Sequence, residues 1–166
     1  MKLSSIVALL ALASVIDAHA QAPMVDRIEI VERGIYGAEV TKVEQAPGTA
    51  MGTQNTVANL KLISSTSTVS AQIGTRFGLR YRIVGSPNQA KVKLTIITRF
   101  PGKGLRNPKT GEQNSRDVAL WDRNIGSVSY NGYRLDQDWE LVPGTWTFEV
   151  WYEGRKLAEQ SFTVVK

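Results

Sequence analysis

The chain has 166 residues, no cysteine, one histidine (His19) and a formal net charge of +5. That length allows one domain with a real core, and the missing cysteine excludes disulfide staples, thiolate nucleophiles and thiolate metal sites. Because His19 lies in a segment expected to be cleaved, the mature chain also lacks the imidazole on which Ser-His-Asp and Cys-His machinery and the usual zinc sites depend.

The opening residues read as an export signal. Lys2 supplies a minimal positive start, Leu3 to Ile16 is apolar apart from small serines, and Ala18-His19-Ala20 has the small-x-small spacing of a cleavage site. The expected organisation is residues 1–20 as signal peptide and 21–166 as a single β-sandwich domain, with 21–56 as a candidate N-terminal extension. No later run approaches the ~20 apolar residues of a spanning helix, so no transmembrane segment is expected in the mature chain. The expected location is outside the cytoplasm, in the periplasm first and the extracellular space second. Intact mass of the exported product should correspond to a chain beginning at Gln21; a full-length cytoplasmic product would overturn the assignment.

Asp26 to Val31 reads as a first strand, Gly34-Ile35-Tyr36-Gly37 as a break and Ala38 to Val43 as a short second strand. Gln45 to Thr56 has no period and much Gly and Thr, and is expected to be a mobile loop. Val57 to Ile63 alternates weakly. Arg76 to Val84 is clearer: Phe77, Leu79, Tyr81 and Ile83 share one face, Arg76, Arg80 and Arg82 the other. Lys91 to Arg99 follows, with Val92, Leu94 and Ile96 inward. Pro101 to Ser115 is a polar, basic loop. Val118 to Trp121 reads as a short strand, and Asn131-Gly132 as a hairpin turn. Asp136, Asp138 and Glu140 alternate, as on a solvated strand edge. The last stretch is the firmest: Trp146, Phe148, Val150 and Tyr152 alternate with polar residues up to a Glu153-Gly154 reversal.

Turn signals every ten or so residues and no convincing amphipathic helix predict an all-β, antiparallel, immunoglobulin-like β-sandwich of roughly seven to nine strands. Trp121, Trp139, Trp146 and Phe148 are expected to supply the core. Three stretches also carry a resemblance: Arg76-Phe-Gly-Leu-Arg-Tyr-Arg, Arg99-Phe-Pro through Glu112, and Asp138-Trp-Glu through Trp151. Over roughly Arg33 to Val164 the chain resembles a bacterial family of exported proteins catalogued as a domain of unknown function. The resemblance implies an exported β-rich domain and brings no catalytic residues.

Charge is concentrated. Arg76 to Arg116 holds ten basic residues against one acidic residue, Glu112, while the flanking segments are net acidic. A local field of this kind attracts anions in a way that evenly spread charge does not. The anion- or partner-binding candidates are Lys103, Arg106, Lys109 and Arg116 around the loop, and Arg80 and Arg82 on the strand. The plainer alternative is that strand cations such as Arg99 are absorbed by cross-strand pairing with Glu149 and Glu153. Trp151, on the face of those glutamates, is a candidate aromatic platform.

The leading functional expectation is a non-enzymatic binding module for an anionic or protein partner in the cell envelope. A structural or accessory domain acting by strand-edge contact is second, and a carboxylate- or metal-dependent hydrolase third. No catalytic residue, metal or cofactor is assigned, and no nucleic-acid partner is expected of an exported chain with no recognised module.

Overall fold

The computed structural model describes residues 22–166; the expected signal peptide and its cleavage site lie outside the described residues. The strands are β1 (Met24–Gln45), β2 (Thr53–Ser64), β3 (Thr68–Ser70), β4 (Arg76–Ser86), β5 (Lys91–Arg99), β6 (Leu105–Arg106), β7 (Gln113–Asn114), β8 (Arg116–Asn124), β9 (Val128–Arg134), β10 (Gly144–Tyr152) and β11 (Arg155–Val165). One sheet has the order β2-β1-β4-β9 and the other β3-β11-β10-β5-β8; β6 and β7 form a separate small ribbon. The architecture is the all-β sandwich expected, with β3, β6 and β7 as short additions.

The core is built by the alternation read from the sequence. Phe77, Leu79, Tyr81 and Ile83 of β4 meet Leu94 and Ile96 of β5, Trp146 and Phe148 of β10, and Phe162 of β11, all buried between the sheets. Phe77 packs edge-on against Trp146, Phe148 and Phe162 at centroid distances of 5.4–5.7 Å, the geometry that aligns ring edges with ring faces. The last hairpin closes at Glu153-Gly154, where both residues take positive φ (47° and 76°), as a turn matched to strand twist requires. Trp121 and Trp139 are only half-buried at the margin of this cluster, so two of the four aromatics expected at the centre are not there.

Other expectations are corrected. The break at Gly34–Gly37 is a pair of register shifts inside one long strand. β1 gives its first half to β4 and its second half to β2, so backbone bonding passes through the irregularity. Asn131-Gly132 is not a turn. Both residues lie within β9, paired with β4 so that Gly132 faces Gly78. A Cβ on Gly132 would stand 2.0 Å from the Tyr130 hydroxyl and 2.5 Å from the Phe77 carbonyl, so glycine serves close approach rather than reversal. Asp136 to Val142 holds a 3-10 turn, Asp138–Glu140, instead of an edge strand. Glu140 is fully buried, accepting from the Tyr133 hydroxyl and from the backbone N–H groups of Asp136 and Gln137 (2.8 and 2.7 Å).

The segment expected to be a mobile loop is a tight turn between β1 and β2. It leaves the β2 end of its own sheet and reaches β8, the edge of the other sheet. The Val118 N–H donates to the Gly48 carbonyl (2.9 Å), and the Ala50 N–H donates to the Asp117 carboxylate (2.6 Å). The β1–β2 hairpin therefore arches across the outside of β4 and β9, and that arch positions the site.

Candidate functional site

The basic loop is more ordered than its composition suggests. The Gly104 N–H donates to the Pro101 carbonyl (2.9 Å), Leu105 is fully buried, and β6 pairs with β7. Beyond β6, the Asn107 side chain accepts from the Lys109 N–H (2.9 Å) and donates to the Ala50 carbonyl (3.0 Å). The loop is a small hairpin pinned to the arch, not a free segment. Proline and glycine punctuation concealed this, because a two-residue strand pair leaves no periodic signal.

Its cations remain outside that network. Lys103, Arg106, Lys109 and Arg116 are exposed, and none forms an ion pair among the described residues. Arg116 stands opposite Arg99 in the β5–β8 ladder. The strand cations differ. Arg80 pairs with Glu32 (3.3 Å), Lys93 with Asp122 (3.9 Å) and Arg99 with Glu149 (2.7 Å). Arg82 is exposed and faces Glu29 in the register, but Glu29 pairs with Arg27 instead.

Glu149 is almost wholly buried, also accepting from the Trp151 indole N–H at 2.8 Å. Burial alone would raise its pKa, but the hydrogen bonds from Arg99 and Trp151 outweigh it and hold the carboxyl below its ordinary range. The indole N–H of Trp151 is thus committed, and its ring is half-buried beside Thr95 and Lys156.

Under the arch lies a feature that sequence reasoning missed, a cleft of about 560 Å³. Residues 49–57 roof it. Arg76, Tyr130 and Arg134, on the outer face of β4 and β9, form one side; Asp117, Trp121 and Arg123, on the inner face of the β8 edge, form the other. The alternation puts Arg76 outward, and it is on that face, yet only 6% of it is exposed, and residues of the 49–57 segment line the same space. Its Nη2 is buried with no hydrogen-bond partner, and so is the Tyr130 hydroxyl next to it. Burial pushes the Tyr130 phenol up to about 12, opposed by the Arg76 charge and by a side-chain contact with Arg76 that falls short of full hydrogen-bond geometry and so leaves both groups unsatisfied. Arg123 stacks on the Trp121 ring at 4.6 Å, and Arg134 pairs with Asp136 (3.0 Å). Asp117 is pushed up to about 7, first by burial and then by the Glu140 charge, with the Ala50 hydrogen bond opposing.

Residues 24–164 match the model of a family described as Domain of unknown function (DUF3859). The chain belongs to this family. An immunoglobulin-like protein from Pseudomonas aeruginosa is similar in structure, with a TM-score of 0.60 and 22% identity, covering 89% of this chain and 99% of that one. That likeness supports the immunoglobulin-like fold and nothing further. A Pseudomonas fluorescens alkylpurine DNA glycosylase bound to DNA containing an abasic site analog aligns at TM-score 0.40 and 14% identity, over 60% of this chain and 28% of that one. No curated protein matches the chain. Among the described residues no helix is long and apolar enough to cross a membrane.

Proposed function

We propose that this is an exported, non-enzymatic binding module of the periplasm, meeting an anionic envelope component through the β6–β7 hairpin. The supporting observation is the contrast within the basic tract: Arg80, Lys93 and Arg99 have acidic partners, whereas Lys103, Arg106, Lys109 and Arg116 have none among the described residues. Holding like charges together on an ordered hairpin gives nothing to folding; it raises the local positive potential. An ordered presentation also lowers the entropy lost on binding.

Contacts between exposed charges weaken as the Debye length falls from ~10 Å at 0.1 M salt to ~3 Å at 1 M. Vesicles or beads carrying acidic lipid or glycan should therefore retain the protein at low salt and release it at high salt. Replacing Lys103, Arg106 and Lys109 with Ser should abolish retention and leave the melting temperature nearly unchanged, since none of the three supports the core. Undiminished retention by the triple variant, or wild-type retention indifferent to salt, would transfer the proposal to strand-edge contact with a partner protein.

A further inference from the structure

The cleft beneath the arch is separate from the basic hairpin, and its chemistry differs. A guanidinium out of water is costly unless anions or acceptors replace its hydration. Arg76 is more than nine-tenths buried, has no carboxylate within ion-pair reach among the described residues, and keeps Nη2 unpartnered. The charges around it do not answer it. Asp136 is taken by Arg134, and Asp117 accepts from the Ala50 N–H. With three guanidiniums and two carboxylates lining the space, the cleft carries a surplus of one positive charge when both acids are ionised. The volume, about 560 Å³, lies inside the ~300–1,000 Å³ usual for small-ligand sites.

We propose that this cleft binds a small hydroxylated carboxylate, a uronic-acid-type sugar, whose carboxylate pairs with Arg76 and the Tyr130 hydroxyl. The planar guanidinium presents parallel N–H donors that match a carboxylate, and Tyr130 adds a second unpartnered donor. Above the Asp117 pKa of about 7, where both acids are ionised, one negative charge matches the surplus; a dianionic phosphate would then overshoot it and face Asp117 and Asp136 across the same space. Around that anchor, Gln54, Asn55 and Asn131 bring side-chain amides, and Thr98 and Ser129 bring hydroxyls. Trp121 and Tyr133 supply ring surface. Amides for hydroxyls and rings for the C–H faces of a sugar are what a neutral polyol body needs. Residues 53–57 of β2 line the cleft, and the turn before them is held to β8 at Gly48 and Ala50.

Calorimetric titration with glucuronate, glucose and inorganic phosphate tests the assignment on the mature protein. Glucuronate should bind, and glucose, which keeps the hydroxyls and lacks the carboxylate, should bind roughly tenfold more weakly or worse. Because the charge pair is buried, glucuronate affinity should change little between low and high salt, unlike retention by the hairpin. The Lys103/Arg106/Lys109 serine variant should bind glucuronate as the wild type does, which separates the two sites. Arg76→Met should lose roughly thirtyfold or more in affinity, the lower end for truncating one partner of a buried charge pair. It should also melt no lower than the wild type, since it removes an unpaired buried charge. Arg76→Lys keeps the charge without the fork and should fall between. A monosaccharide that fails while a short oligouronate binds would assign the cleft to a chain end. Absence of binding by both, phosphate binding more tightly than glucuronate, glucose equal to glucuronate, or Arg76→Met binding unimpaired would each overturn the proposal.

Discussion

Trp146→Ala should cost the fold about 3–5 kcal/mol, the range for emptying a large aromatic site. Trp146 is fully buried in β10. Its ring meets Phe100 and Tyr133 at 5.0 Å and Phe77 at 5.7 Å, and its indole N–H donates to the Val142 carbonyl at 3.0 Å. The substitution therefore leaves a cavity where the two sheets meet and removes the donor to the half-buried Val142 carbonyl. Neighbouring Thr147 points out of the core and shares a hydroxyl contact with Ser161 (2.9 Å). Thr147→Ala should cost only about 1 kcal/mol, the net worth of one hydrogen bond. Denaturant midpoints read both changes. Equal midpoints would mean that β10 is facing the wrong way by one residue.

That facing was legible because β10 sits between β11 and β5, and its inward positions include Trp146 and Phe148, two of the largest fully buried side chains among the described residues. The same rule misleads at the sheet edge. In β8 the more apolar pair, Val118 and Leu120, is exposed, while Asp117, Ala119, Trp121 and Arg123 face inward. Hydrophobicity alone assigns β8 the opposite face, which is why Asp117 gave no signal as a site residue. The inward polar positions are tolerated because the edge opens onto the cleft instead of the packed centre.

Arg76 shows a different gap. Its strand face follows from the two-residue period, but its burial goes with a hairpin whose pairing begins at Ile35, about forty residues earlier, and whose 49–57 segment shares its cleft. No local pattern reports such a long-range covering. The glycine and threonine of residues 46–56 look like loop material, and the docking contacts that order them are mostly backbone groups: the Gly48 and Ala50 carbonyls and the Ala50 N–H. Backbone partners carry no sequence signature. The hairpin cations, by contrast, were visible as a composition shift, because free surface charge needs no tertiary partner to be recognised.

Stability should fall as pH rises from about 4 to about 7, and Asp117 should be the main cause. Its carboxyl is folded into a site from which only 9% of the residue reaches solvent, and its pKa is pushed up to about 7. In the unfolded chain the group ionises near the ordinary value of about 3.9. Between those values the folded state holds a proton that the unfolded state has released, so raising the pH favours unfolding. Below about pH 4 both states are protonated and the effect vanishes; above about 7 both are ionised and the full burial cost is felt. About three pKa units correspond to on the order of 4 kcal/mol. Glu140, also raised by burial, adds a contribution of the same sign, while Glu149, held low by Arg99 and Trp151, acts in the opposite direction. Asp117→Asn isolates the group, because its side-chain oxygen can still accept from the Ala50 N–H. The variant should be more stable than the wild type at pH 8, equal or weaker at pH 4, and should flatten the decline between them. Urea midpoints measured across that range decide it. Parallel pH profiles for the two proteins, or a wild type that gains stability from pH 5 to 7, would mean that Asp117 is solvated enough to ionise normally and that the arch does not seal the β8 edge.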